Sequence, residues 1–328
     1  MRRIITVMLC LVLSLSLLSG CGVSAPSAGG VKDDGGLKVV VTIFPLYDWV
    51  REILGGDASG AELTMLLDSG VDLHSYQPTV NDIVKISSCD LFVYVGGESD
   101  KWVDDALAEA TNPDMQVINL MDTLGDAVVE EELIEGMEAE EEEEEEEGPE
   151  YDEHVWLSLK NARVLCAAVA DALEKLDPEH ADAYAANAES YDAKLAALDA
   201  QYDEAARSAA FHTLLFGDRF AFRYLMDDYG LEYYAAFIGC SAETEASFET
   251  IVFLAGKVDE LGLRAILQQE SSDGSIARTI RDNTSTKDQE ILTLNSLQGV
   301  TVRDAAAGST YLSVMEDNLA VLRQALGE

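Results

Sequence analysis

The chain alternates between short runs that are apolar throughout and longer stretches where apolar residues recur every three or four positions. VVVTIF (39–44), ELTMLL (62–67), DLFVYV (90–95) and MQVINL (115–120) are rich in strand formers, which predicts four buried strands in the first half. Helical spacing falls between them, around 46–54, 80–88 and 101–110. The alternation returns later. TLLFG (213–217), YYAAFI (233–238), AILQQE (265–270) and EILTL (290–294) read as strands, with helices near 219–229, 247–262, 274–283 and 310–327. This order implies βαβ units and mainly parallel sheets, because parallel neighbours need a crossover connection. No internal sequence repeat is evident between the halves.

Helix separates the two β-rich regions. Leu165, Val169, Ala172 and Leu176 keep one face, Asp177-Pro178 interrupts it, and Tyr184, Ala188, Tyr191, Leu195, Leu198 and Tyr202 follow at alternating spacings of four and three. Such a stripe is a packing face, and its tyrosines read as core. The expected fold class is α/β: two α/β lobes with mainly parallel sheets joined by a long connecting helix. The expected bounds are an N-terminal lobe over 37–158, a helical connector over 159–205 and a C-terminal lobe over 206–328. A cleft between two lobes is the default ligand site.

The start of the chain follows a different pattern. Arg2 and Arg3 precede an apolar stretch (4–18) that meets Leu18-Ser19-Gly20-Cys21. A basic start, a short apolar core and small residues describe a secretory signal peptide over 1–20. As a membrane anchor the segment is short, since spanning needs about 20 apolar residues. Leu-Ser-Gly-Cys also resembles a bacterial lipobox, which makes Cys21 the expected lipidation site. Residues 21–36 then form a flexible tether, spanning on the order of 20 Å. The body is expected to be lipid-anchored at the extracytoplasmic face of the cell membrane. Of the other cysteines, Cys10 leaves with the signal. Cys89, Cys166 and Cys240 show no CxxC pattern and no disulfide framework, and Cys166, among Val164, Leu165 and Val169, reads as a core residue.

Charge narrows the function classes. With 62 acidic and 21 basic residues the formal net charge is −41. Nucleic-acid binding is excluded as an expectation, because it relies on Lys and Arg against phosphates. Cation binding fits the sign. Fourteen acidic residues fall within 130–150, yet the rest of the chain remains strongly acidic. Like charges repel and the run lacks a sustained apolar face, so a solvated loop is expected there. Its place just before His154 also leaves room for a weak, multivalent cation collector.

Only four histidines are present. His180 and His212 read as ordinary surface residues. His74 lies in GVDLHSYQPT, a loop after a strand, and His154 in YDEHVWLSL, where the acidic run meets the connector.

The segments VVVTIFPLYDWVREILGG, GVDLHSYQPTVNDIVKISSCDLFVYVGGESDKWVDDAL and DEHVWLSLKNARVLCAAVADAL resemble the zinc/manganese-type (cluster A-I) substrate-binding lipoproteins of ABC transporters. The resemblance covers essentially the whole mature chain. It implies two α/β lobes linked by a long helix with the metal between them, and it makes His74 and His154 ligands. The chain departs from the family further on. Zinc-type members usually place a His, and manganese-type members a Glu, three residues before the Phe of an F-x-Y-L helix; matching that helix to Phe222–Leu225 puts Arg219 there. Arg stays protonated and cannot ligate a cation. Either Asp218 supplies the oxygen in a shifted register, or Arg219 pairs with a carboxylate and the ligand comes from elsewhere. Asn295 stands where many members have a late Asp, and Glu270 is the acidic candidate at the strand edge. Glu243 and Glu245 are lesser candidates. Where relatives often have a His-rich loop, this chain has glutamates.

Two imidazoles and two carboxylates would suit Zn²⁺ in a roughly tetrahedral site, with Mn²⁺ as the alternative at higher coordination. The resemblance therefore implies capture of Zn²⁺ and delivery to a cognate ABC permease, by a protein that is tethered to the membrane through its N-terminal lipid and acts as a monomer. Enzyme signatures are missing: there is no HExxH, GxSxG, P-loop or strand-linked GxGxxG. The remaining alternatives are the same role for Mn²⁺ or iron, or a lipid-anchored adhesion or scaffold protein with a structural metal.

Overall fold

A computed structural model describes residues 36–56, 60–70, 72–138, 150–240 and 245–328. All eight expected strands form: β1 (Lys38–Val41), β2 (Glu62–Met65), β3 (Leu91–Tyr94), β4 (Gln116–Asn119), β5 (Thr213–Phe220), β6 (Glu232–Ile238), β7 (Ala265–Gln269) and β8 (Glu290–Leu294). They make two four-stranded sheets, ordered β2-β1-β3-β4 and β6-β5-β7-β8. Every pairing is parallel. Parallel sheets are covered on both faces, which explains why Val39, Val40 and Val41 are all buried despite pointing to alternate sides. The two halves thus share one strand order without a visible sequence repeat.

That order matters for function. In each lobe successive crossovers wind in opposite directions from the first strand, so loops part between β1 and β3 and between β5 and β7. Ligand crevices in open parallel sheets form at such points, beyond the carboxyl ends of the strands.

The helical region is two helices, α5 (Leu159–Leu176) and α6 (Ala181–Ser208), preceded in the N-terminal lobe by α1 (Phe44–Leu54), α2 (Val80–Ser88), α3 (Val103–Ala108) and α4 (Leu120–Leu124). Ser158 starts α5 by accepting a hydrogen bond from the Asn161 N–H. At the break, the Asp177 carboxylate accepts from Tyr184 Oη and faces His180 Nδ1. The expected stripe on α6 is core: Tyr184, Tyr191, Leu195, Leu198 and Tyr202 are buried. Tyr202 Oη donates to the carbonyl of Met315 in the C-terminal helix Tyr311–Leu326, and Trp49 of α1 meets Tyr311 edge to face at 5.2 Å. These aromatic contacts join both lobes to the helices.

Two expectations are corrected. The helix near 219–229 begins only at Arg223, because β5 continues to Phe220 with a register irregularity between Phe216 and Arg219. Asp218 holds that irregularity, accepting from the N–H groups of Arg219 (2.9 Å) and Gln269 (3.0 Å). The acidic run is also not wholly solvated. Residues 130–138 lie against the C-terminal lobe: Met137 is buried, the Glu138 N–H donates to the Ala236 carbonyl, and the Glu131 and Glu138 carboxylates accept from the N–H groups of Cys240 and Ser247. Charge repulsion is offset there by backbone donors and the apolar Ile134 and Met137. Residues 139–149, Glu243, the signal segment 1–20, Cys21 and the tether up to residue 35 lie outside the described residues. No helix among the described residues is long and apolar enough to cross a membrane.

Candidate metal site

His74 sits on a single 3₁₀ turn, Leu73–Ser75, that follows β2. Asp72 caps the turn by accepting the His74 N–H at 3.0 Å. Leu73 is buried, and its N–H donates to Gln298 Oε1 of the opposite lobe at 3.1 Å. The turn is therefore clamped from both sides.

His154 is fully buried and precedes the 3₁₀ turn Val155–Leu157 that leads into α5. Asp152 Oδ1 accepts from its backbone N–H (2.8 Å) and lies 3.0 Å from its Nδ1. Trp156, 5.2 Å from the His154 ring between centroids, donates Nε1–H to the Ser296 carbonyl across the lobes.

The two imidazoles are arranged alike. His74 Nδ1 faces Ser99 Oγ (2.8 Å) and Glu153 Oε2 (3.4 Å), and Glu153 Oε1 accepts the Ser99 N–H. An oxygen partner at each Nδ1 favours the tautomer with the proton there and the lone pair on Nε2. The Nε2 atoms face each other at 3.3 Å. Two nitrogen ligands on tetrahedral Zn²⁺, with bonds near 2.0–2.1 Å, stand about 3.3–3.4 Å apart.

The electrostatics favour positive charge. Burial works against protonating His154, but Asp152, Glu153 and Glu131 outweigh it and raise its pKa. Burial likewise opposes the charged forms of Glu153 and Asp72, yet His74 with Ser99, and His74 with Arg219, hold these carboxyls below their ordinary values. Glu153 and Asp72 thus favour their ionised forms beside the rings.

A third group arrives from the C-terminal lobe. Ligand atoms of His74, His154 and Cys240 all lie within 4.8 Å of one another, the single such His/Cys/Asp/Glu group among the described residues. Cys240 follows the end of β6, and the residue before it has to be glycine. A Cβ on Gly239 would stand 2.8 Å from the Phe220 carbonyl oxygen and 3.0 Å from His154 Cε1. Burial, followed by Glu131, Glu153 and Asp152, pushes the Cys240 thiol up, so it favours the protonated form.

The expected oxygen donors do not join this group. Asp218 is engaged by the two backbone N–H groups at the β5 irregularity. Glu270 accepts from the Ser296 N–H and Oγ, both at 2.8 Å. Asn295 Oδ1 accepts the Leu297 N–H within its own turn. Arg219 pairs with Asp72 at 3.0 Å across the lobes, the second of the two arrangements open to it. In the sequence Cys240 carries no spacing signal, since it is a lone Cys in GCSAETEAS. Its one clue is that it directly follows a Gly at the carboxyl end of a parallel strand.

Two parallel-sheet lobes facing each other with a ligand cluster at their strand ends define a two-lobed binding protein. The chain belongs to the ZnuA family, described as zinc-uptake complex component A, periplasmic, which matches residues 39–325. This is a family of uptake-system binding components. The chain is 32% identical over 320 residues to the zinc-binding lipoprotein AdcA of Streptococcus pneumoniae serotype 4, covering 95% of this chain and 60% of that protein. It is 28% identical over 314 residues to the high-affinity zinc uptake system protein ZnuA of Bacillus subtilis, covering 94% of each. The crystal structure of the Zn(II)-bound ZnuA-like domain of S. pneumoniae AdcA matches with a TM-score of 0.69 and 28% identity, over 90% of this chain and 100% of that one. The chain spans 56–60% of the length of the curated AdcA relatives it matches.

Proposed function

We propose that this protein captures Zn²⁺ between its lobes outside the cytoplasm and presents it to an ABC permease for import. The observation that supports this most directly is the pair of Nε2 atoms at 3.3 Å, each on a ring whose Nδ1 faces oxygen. The zinc-uptake relatives that match nearly the whole chain support the same cargo. His74 and His154 are the ligands in this reading, while Asp218 and Glu270 brace the strand ends. Imidazole ligands and the general affinity order favour Zn²⁺ over Mn²⁺. Lipid on Cys21 keeps the receptor, a monomer, beside its permease. It does no chemistry on its cargo: binding exchanges the waters of the cation for protein ligands.

The test is competitive calorimetry of the chelator-stripped chain with Zn²⁺ and Mn²⁺, beside the His74→Ala/His154→Ala variant. One tight zinc site, lost in a variant that still folds, is expected. Weak binding at many sites that survives the variant would overturn the reading. A structural-metal scaffold would instead lose its fold when stripped.

A further inference from the structure

We propose that Cys240 is the third protein ligand of the captured cation, giving the site a thiolate beside two imidazoles and a preference for thiophilic dications. The inference rests on the capture function above and goes on to name the donor set.

Three observations converge. The Cys240 ligand atom lies within 4.8 Å of both imidazole ligand atoms, and it is the only side chain of the C-terminal lobe in that group. A thiolate and an imidazole nitrogen on tetrahedral zinc, with bonds near 2.3 and 2.0–2.1 Å, stand roughly 3.6 Å apart. Second, the backbone is built to bring Cys240 in: Gly239 lets the chain leaving β6 pass against the His154 ring, and Glu131 Oε1 accepts the Cys240 N–H at 3.2 Å. Third, among the described residues the acidic groups at the ends of β5 and β7 are already engaged. The Asp218 and Glu270 oxygens are used by backbone and Ser296 groups, and the Arg219 guanidinium is held by Asp72.

The ligation balances simply. Cys240 Sγ forms a bond to Zn²⁺ with its electron pair as the S–H bond breaks, and the proton leaves to buffer. Nothing is oxidised or reduced. Thiolate suits Zn²⁺ and disfavours Mn²⁺, which prefers oxygen. Three protein ligands leave one tetrahedral position for water, through which a permease could draw the cation out.

Co²⁺ is the probe. The mature, chelator-stripped chain is titrated with Co²⁺ and its spectrum compared with those of Cys240→Ser, Cys240→Ala and His74→Ala. The wild type is expected to show visible ligand-field bands and a near-ultraviolet thiolate-to-Co²⁺ charge-transfer band. Both Cys240 variants should keep ligand-field bands and lose the charge-transfer band. Their Zn²⁺ affinity should fall by about 10–100-fold or more, while Mn²⁺ affinity changes less. His-dependent ligand-field bands without a charge-transfer band in the unmutated protein would overturn the thiolate and leave zinc capture standing. Absence of any His74-dependent Co²⁺ spectrum would overturn both. Because the decisive band is read in the wild type, poor folding of a variant does not blunt the test.

Discussion

His74 and His154 are separated by 80 positions in the chain, yet their Nε2 atoms stand 3.3 Å apart, with the rings tilted by 55°. With protons held at Nδ1, two neutral rings aim lone pairs at one point. That is repulsive without a positive charge between them. A proton or a dication relieves it, and the dication is better matched because it satisfies both nitrogens at ordinary bond lengths.

Removing either ring should be costly for zinc and unequal for the fold. Loss of a partner behind a ligand weakens metal binding by roughly 10–100-fold, and loss of a ligand costs no less. His74→Ala should melt somewhat below wild type, because it takes away the partner of Ser99 and of the buried Glu153 carboxylate. His154→Ala should melt lower, because it opens a cavity and leaves Asp152 without its partner. Calorimetry and thermal melts of the chelator-stripped variants separate the two effects.

Asp152→Asn keeps the size of the side chain but can turn an N–H toward His154 Nδ1. Zinc affinity should fall by about 10–100-fold with little change in secondary structure. Unchanged affinity would show that Asp152 does not set the tautomer.

Zinc binding should weaken in acid, since only neutral imidazole ligates. The pKa of His154 is raised above its ordinary 6.5, so proton competition begins at a higher pH than for a free histidine. The stability of the zinc-free protein follows the opposite sign. A raised folded-state pKa contributes stability that is fully present below 6.5 and lost as pH rises through the folded value. The zinc-induced rise in Tm should therefore grow with pH. Melts with and without zinc across the neutral range check this.

Two glycines should respond in opposite directions to alanine. Gly239→Ala forces a Cβ against the Phe220 carbonyl and the His154 ring, costing about 1–3 kcal/mol and displacing a ligand. Gly256, inside the helix Phe248–Leu261 with nothing within 4 Å of a new Cβ, should gain about 0.5–1 kcal/mol as alanine. Denaturant midpoints and zinc titrations of both variants would show it.

Shortening the acidic run should depend on where the cut falls. Deleting 139–148 is expected to leave the tight site unchanged and to remove only weak cation binding, read as stoichiometry at high Zn²⁺. Deleting 131–148 also takes away the carboxylates of Glu131 and Glu138 that hold the backbone at Cys240 and Ser247, and should lower stability and affinity together.

The sequence by itself determined the eight strands, their parallel sense and the buried stripe of α6, because these follow from local apolar periodicity and from the need of parallel strands for crossovers. It also singled out His74 and His154 through the segments around them. Tertiary structure decided what local patterns do not encode. Both sheets adopt one strand order although the halves share no visible repeat, since order is set by packing between distant segments. Asp218 and Glu270 are recognisable in the sequence as acidic residues near strand ends, and only the fold shows that each is drawn into hydrogen bonds with a neighbouring strand or turn. Arg219 finds Asp72 across the lobes, and Cys240 reaches the histidines only because Gly239 lets the chain leaving β6 pass beside His154. Which donors converge on one point depends on how two lobes face each other, and that relation is written in no single stretch of the chain.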